Sequence, residues 1–463
     1  MRQNVTYSIG NIALIEKVNE KFGFFDSLFD GVFGRAKEVK ETAKALAANR
    51  LGACVSTHRL TEVYPKEFFL ELGFNDIPAE RNLYRNIERV GFRCPVLLER
   101  YQRLVKKNCL VTKEQFVDFS SSYFEGKKAP LGALGYSRDG QPGKKQLVFG
   151  ISTGINEVPS ALTIQKGNVQ DKKHFRVMLR TVSKVLEPES MVIFDCGGNT
   201  RANKQKVREL GFHYLTLKAK KRVIYKQYLR LFKKGEKQKV KMGETEYECV
   251  KAINGEETNY IFYSEKLKKD QLRKKKKKFK RELDKNDRLL PKVARGKDLE
   301  KLVTRKGYVV TKGLLQKTLK ETPNPYITGL EGFFILESSI DAEPKKILAL
   351  YKDRDKAEKL IRNMKEGTEL RPMRHWSKLA VIGYLFIVFL TNCLHSLTLF
   401  LTKNPLVKNV KLLKKYLNSL TLTIVYPKKA LQLRLLSNIS TVTTAIFGDF
   451  IHRYGSVDID LRW

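Results

Sequence analysis

The chain has 463 residues, 42% of them hydrophobic, enough for two or three domains with a real core and too apolar for a disordered chain. Its 89 Lys and Arg against 49 Asp and Glu leave a net charge of +40, which calls for a polyanionic partner, DNA or RNA by default and an anionic membrane surface as the lesser alternative. The six cysteines never approach a C-x2-C spacing, which argues against a zinc knuckle and suits a reducing compartment. The start, "MRQNVTYSIGNIALIEKVNEKF", lacks the continuous apolar stretch and small-residue cleavage site of a signal peptide.

Residues 1–110 read as a helical domain rich in Arg and Lys, either a DNA grip or a scaffold. "AKEVKETAKALAANRL" has helical apolar spacing and strong helix formers. "PAERNLYRNIERVGF" and "PVLLERYQRLVKKN" predict two further helices, each opened by Pro and the first stopped by Gly91. Over 111–218 the character changes. "QFVDFSSSYFEG", "KQLVFGISTG" and "VPSALTIQKGN" read as three strands, rich in β-branched and aromatic residues. "DKKHFRVMLRTVSKVL" is then a helix and "SMVIFDCGG" a short buried strand. "NTRANKQKVREL" is a helix with Asn199 as its N-cap and Gly211 beyond its end, and "FHYLTLKAK" is another strand. This order is that of a mixed α/β domain.

Residues 219–331 break the rhythm and read as an insertion. "KVKMGETEYECVKAINGEETNYIFYSE" alternates like a hairpin turning at Asn254-Gly255. Between Ser264 and Asp284 stand eleven Lys or Arg and four Asp or Glu, net +7, a phosphate-gripping arm or a solvated charged helix. The α/β pattern returns over 332–403, with "EGFFILESS" as a strand, "LALYKDRDKAEKLIRNMKEG" as a helix and "LAVIGYLFIVFLTNCLHSLTLFL" as a long apolar run. That run is long enough to span a bilayer, but Asn392, His395 and Ser396 within it suit a buried core helix equally. Residues 404–463 form a weakly informative C-terminal region.

Two aspartates stand on apolar strands: Asp118 in "FVDFS" and Asp195 at the end of "MVIFD", just before two glycines. A carboxylate so placed can be a metal ligand or merely the cap of the next helix, and the residues alone leave that choice open. On a continuous helix, Tyr351, Arg354, Glu358 and Lys365 share an arc of about 60° along one border of the buried face, with Asp353 the misfit. Three carboxylates from two strands and a helix could hold two Mg²⁺ ions, whose chemistry is in-line phosphoryl transfer.

The spacing Y-(2)-R-(3)-E-(6)-K of Tyr351, Arg354, Glu358 and Lys365 resembles the signature of one group of DDE transposases of prokaryotic insertion sequences. "VDFSSSYFEG…GYSRDGQPGKKQLVFGIS" is similar to that family's first aspartate block. "VPSALTIQKGNVQDKKHF" with "VIFDCGGNTRAN" is similar to its second, where Asp195-Cys196-Gly197 fits D-x-G. The likeness spans roughly residues 110–400. It implies an RNase H-like catalytic core, a mixed sheet with flanking helices, interrupted by a β-containing insertion and preceded by the N-terminal helical domain. It implies Asp118, Asp195 and Glu358 as catalytic residues and as ligands of two Mg²⁺ or Mn²⁺ ions. Tyr351, Arg354 and Lys365 would bind terminal DNA, with Lys365 on a phosphate. The activity implied is endonucleolytic cleavage at the terminal inverted repeats and strand transfer into double-stranded target DNA. A homodimer would synapse the ends, in the cytoplasm at the nucleoid and with no membrane, and the long apolar helix would pack on the core. The alternative is a decayed, non-catalytic DNA-binding descendant. Some relatives stack a flipped base on a Trp of the insertion; here the two tryptophans, Trp376 and Trp463, lie outside it, leaving Tyr260 or Phe262 as substitutes or another route.

Overall fold

The structure, a computed structural model, describes residues 3–34, 36–126, 129–289, 308–311, 314–317, 324–428 and 431–455. Part of the expected insertion (290–307, 312–313 and 318–323) and the end of the C-terminal region with Trp463 lie outside the described residues. The helices and strands run in the order β1 (Val5–Ser8), α1 (Gly10–Phe22), α2 (Phe24–Phe29), α3 (Ala36–Leu51), α4 (Leu60–Val63), α5 (Lys66–Glu71), α6 (Glu80–Lys107), β2 (Glu114–Tyr123), β3 (Gln146–Gly154), β4 (Pro159–Lys166), α7 (Asp171–Val182), β5 (Met191–Phe194), α8 (Arg201–Glu209) and β6 (His213–Leu217). There follow α9 (Arg222–Lys234), β7 (Gln238–Met242), β8 (Thr245–Asn254), β9 (Glu257–Tyr263), α10 (Glu265–Leu289), β10 (Tyr308–Thr311), β11 (Leu314–Lys317), β12 (Phe333–Ser338), α11 (Pro344–Asp353), α12 (Asp355–Arg362), α13 (Lys378–Thr402), α14 (Val410–Ser419), β13 (Thr421–Lys428), β14 (Leu431–Ser437) and α15 (Thr441–Phe447). The chain divides into two units, Met1–His213 with Lys352–Trp463, and Tyr214–Tyr351.

In the first unit, α6 is one helix where two were expected. Its buried residues Leu83, Ile87, Val90, Cys94, Leu97, Tyr101 and Leu104 repeat at intervals of three and four, so one apolar stripe runs its whole length. Pro95 lies inside it and removes only the bond its own N–H would give to the Gly91 carbonyl. Gly91 does not stop the helix; it is where the helix meets α13. A Cβ at Gly91 would lie 1.9 Å from the Leu379 carbonyl oxygen, and one at Gly383 would lie 1.9 Å from that of Ile87. The two glycines face each other across the crossing and let the backbones touch.

Helix α13 is the long apolar run, and it is buried almost throughout. Among the described residues it is one helix long and apolar enough to cross a membrane, and it packs here against α6, α3 and α1. Several of its polar groups bond nearby backbone. Thr391, Asn392 and Thr398 donate to carbonyls four residues back, and His395 Nε2 meets the Val407 carbonyl at 2.7 Å.

Strands β4, β3, β2 and β5 of this unit lie side by side in that order. The first two pairings are antiparallel and β2–β5 is parallel, a mixed sheet with helices flanking it. Helix α8 is capped by Thr200, whose hydroxyl accepts from the Asn203 N–H at 3.2 Å, one residue later than the expected Asn199. Gly211 follows with φ +74°, as a helix terminator does. The N-terminal region contains a strand, β1, that pairs with β13 from the C-terminal region. A pairing across more than four hundred residues leaves no local signal.

In the second unit β6, β12, β9, β8 and β7 form an antiparallel array. The expected hairpin is β8–β9, but its two-residue loop is Gly255-Glu256, one residue later than expected, with Asn254 paired to Glu257 and Gly255 at φ +62°. Tyr225, Tyr228 and Phe232 of α9 pack on Val250, Ile261 and Ile335 of the strands. The polybasic segment forms α10. Its Lys275 pairs at 2.6 Å with Glu331, while Lys274, Lys277, Lys278, Arg281 and Lys285 follow one another at helical spacing along one side.

The glycine crossing gives a direct test of this core. Gly91→Ala is expected to cost about 2–4 kcal/mol, because a backbone carbonyl cannot step aside for the new methyl. The measurement is thermal unfolding beside Gly34→Ala, a position with open space around it, which should leave the transition unmoved.

Candidate active site

The parallel register of β2 and β5 pairs Glu114 with Met191 through Val117 with Phe194, so Asp118 and Asp195 are the next residues on two adjacent strands. Period-two alternation therefore sends both side chains to the same face of the sheet. Beyond Asp195 the chain turns at once: the Gly197 N–H donates to Asp195 Oδ1 at 2.7 Å. A Cβ at Gly197 would fall 3.0 Å from that oxygen and 2.7 Å from Asp171 Oδ2, so this glycine leaves room for two carboxylates. Asp171, in the first turn of α7, is gripped at 2.5 Å by Arg138.

Helix α12 packs against β2 and β3 through Ala357, Leu360 and Ile361 and carries Glu358 beside that buried face. Arg354, at its N-terminus, lies between the carboxylates. Its Nη1 is 3.4 Å from Asp118, and its Nη2 donates to Glu358. Burial pushes the Asp118 carboxyl up from an ordinary 3.8 to about 6; Arg354 opposes that rise, while Asp195 and Glu358 add to it. Asp195 and Glu358 thus both act on the Asp118 charge, and Arg354 is the cation shared by Asp118 and Glu358.

The expected Tyr351, Arg354, Glu358 and Lys365 stripe assumed a continuous helix, and the backbone is not continuous. Helix α11 ends at Asp353, the misfit of the helical wheel, which pairs instead with Lys356 at 3.1 Å. Helix α12 begins afresh at Asp355, and residues Asn363–Gly367 form a π-helical turn. Tyr351 stands half-buried on α11, in the other unit. Lys365 lies in that π turn. It is buried, and its Nζ donates to Asp139 at 2.6 Å.

Asp139 escaped the sequence reading because "SRDGQPG" has the composition of an ordinary turn. Its side chain is 1% exposed and also accepts from Arg371 at 2.8 Å, while Arg371 bonds Glu366 at 2.8 Å. Asp171 was missed for a similar reason: an acidic first helical residue is what any helix prefers.

Divalent metal suits this donor set in its chemistry. Asp118 and Asp195 are oxygen-only ligands, one of them short of positive charge. Among the described residues, however, no three carboxylate, histidine or cysteine side chains stand close enough to hold one ion, because Glu358 is turned to Arg354.

The profile of the transposase DDE domain matches residues 116–394, well over half of the chain. No curated protein is matched by the chain. A solved structure, a piggyBac transposase synaptic complex with hairpin DNA, aligns with 99% of this chain and 86% of its own, at 10% identity and a TM-score of 0.43.

The raised Asp118 carboxyl fixes a sign. Its protonated form is favoured by the fold, so the stability it contributes is full below about pH 3.8 and lost as pH rises through about 6. Without added metal, Asp118→Asn is therefore expected to stabilise the protein at pH 7.5 by up to about 3 kcal/mol. That gain should vanish near pH 4, as read by thermal melts across this range.

Proposed function

The chain belongs to the DDE transposase family, and on that premise we propose that it is a prokaryotic insertion-sequence transposase. It cleaves DNA at the terminal inverted repeats of its element and joins the freed 3′-hydroxyl to target DNA. The observation that carries this reading is the side-by-side placement of Asp118 and Asp195 on parallel strands, facing Glu358 through one shared arginine. The strands and helices around them are read as an RNase H-like core, with 1–110 as a DNA-gripping helical domain and 219–331 as its insertion. Two transposon ends call for two copies of the chain, acting at the nucleoid.

Asp118, Asp195 and Glu358 would hold two Mg²⁺ or Mn²⁺ ions, which would activate a water or 3′-hydroxyl and neutralise charge on the phosphate. Arg354 is assigned two partners in turn. In the free protein it neutralises Asp118 and Glu358; with DNA bound, a backbone phosphate takes the guanidinium, and both carboxylates become available as ligands. Lys365 is assigned a supporting part. Burial lowers its pKa, its charge is spent on Asp139, and it anchors the π turn against the Asp139 loop rather than meeting a phosphate in the free protein. The lysine stripe of α10 is assigned to non-specific backbone contact, with the salt dependence that follows.

Glu358→Gln and Asp118→Asn should each reduce Mg²⁺- or Mn²⁺-dependent cleavage of DNA bearing the element's ends to background, while binding in a gel-shift assay stays within a few-fold. Normal cutting by both variants would falsify the triad. Salt-sensitive binding by the wild type with no metal-dependent cutting would instead identify a non-catalytic descendant.

A further inference from the structure

A second site lies apart from the carboxylates, within the first unit. The start of α13, the segment before it, and α3 and α6 enclose a cavity of about 750 Å³, in the range that holds a small organic ligand. Five arginines and three glutamates line it, and two of the glutamates are engaged: Glu80 by His58 at 2.8 Å and Glu88 by the Ser377 hydroxyl at 2.5 Å.

Two features of the lining ask for a ligand. Arg50 is only 5% exposed, yet among the described residues no carboxylate pairs with it. Its Nη2 donates to the Val55 carbonyl at 3.0 Å, its Nε is buried without a hydrogen-bond partner, and its guanidinium lies over the Tyr384 ring, 5.2 Å from the centroid. An arginine buried without an anion costs several kcal/mol relative to one that is paired. The second feature is His375, both of whose ring nitrogens are buried without a hydrogen-bond partner. That ring stacks on Tyr384 at 4.4 Å and 22°, and Tyr84 stands 5.9 Å from it. Beside it Trp376 is 71% exposed, a large aromatic face spent on nothing in the free protein.

We propose that this cavity binds a nucleoside phosphate unit, its base stacked on Trp376 and its edge read by His375, its phosphate held by Arg50 with the exposed Arg81 and Arg85. A buried guanidinium beside stacked aromatics, with a neutral donor and acceptor pair between them, matches a base with its phosphate. It does not match an acidic peptide, which would leave the rings unused. Burial and the Arg50 charge hold His375 down to about 4, so at neutral pH its ring offers one donor and one acceptor, as a base edge requires. The segment is also tied to the catalytic strand: the Met373 N–H donates to the Tyr123 carbonyl at 2.9 Å, and Glu125 returns the bond to Met373 at 3.1 Å. A nucleotide held here is thus held by the strand that carries Asp118. The inference rests on the DNA-processing reading only for the source of the unit, a strand of DNA rather than a free nucleotide.

Trp376 is itself the reporter. With Trp463→Phe and Asp118→Asn in the full chain, in EDTA, Trp376 is the sole tryptophan and cutting is absent, so a failure here is separate from a failure of the cleavage assay. A short single-stranded thymidine oligonucleotide should quench Trp376 saturably, and Arg50→Gln and His375→Phe should weaken that quenching at least tenfold while total DNA binding by gel shift falls far less. Quenching by thymidine monophosphate as strong as by the oligonucleotide assigns the site to free nucleotides, and quenching by the oligonucleotide alone assigns it to a strand; both support the proposal. Absence of quenching by either probe, equal effect by inorganic phosphate, or quenching unchanged in His375→Phe and in Arg50→Gln overturns it. His375→Phe keeps the stack on Tyr384, so the proposal stays testable if Arg50→Gln does not fold.

Discussion

Two carboxylates side by side on adjacent parallel strands repel each other, and a fold that buries one of them must supply a counter-charge. In this chain that constraint organises everything near the sheet. The β2–β5 register sets Asp118 beside Asp195, and burial alone makes ionising Asp118 unfavourable. Arg354 answers that cost by reaching Asp118 from the start of α12, and the same guanidinium draws Glu358 toward the pair. The backbone break between Asp353 and Asp355 puts Arg354 at a helix start, so its side chain reaches the strands while Glu358 remains one turn further along the same face. Had the helix run on unbroken, the wheel of the sequence would have held and the arginine would have been one more residue of a stripe.

The π turn at Asn363–Gly367 solves a second charge problem in the same stretch. Lys365 is carried inward, where a lone ammonium is untenable, and Asp139 meets it from the loop between β2 and β3. Asp139 is fully buried and has charge to share, and Arg371 takes the other portion. One carboxylate thus pins three pieces of chain: its own loop, the end of the signature helix and the segment that runs into α13. That segment carries His375 and Trp376, so the geometry of the aromatic cavity depends on an ion pair at the opposite end of the signature from Glu358.

The strands and helices of the first unit were legible in the sequence because their signals are local. "QFVDFSSSY" is β-branched and aromatic, "MVIF" is an apolar run ended by Asp-Cys-Gly-Gly, and the long apolar helix has no other reading than membrane span or core. The adjacency of Asp118 and Asp195 was legible in part, because each stands on or just after a strong apolar strand pattern, while the residues alone left their role open. What escaped is what depends on a partner far away in sequence. Gly91 reads as a stop until Gly383 is set against it, and Asp139 reads as a turn residue until Lys365 arrives. Strand β1 has no sheet until β13 folds beside it. The break at Arg354 left only a faint trace, an aspartate on the wrong side of a wheel.

That trace carries more weight than its size suggests. An acidic residue on the buried side of an amphipathic helix is a conflict between local pattern and global fold, and such conflicts gather where a site must be built. Asp353 settles the conflict by ending its helix and pairing with Lys356. Arg354 itself keeps helical dihedrals (φ −55°, ψ −23°), so Glu358 lies one turn beyond it on the same face. A cation whose partners are two carboxylates of a metal-seeking set is exchangeable in a way that a core ion pair is not. Glu358 keeps a large exposed surface, so moving the guanidinium to a phosphate leaves that carboxylate solvated or ligated rather than stranded. Lys365 is the more deeply buried of the two cations, and it shares Asp139 with Arg371.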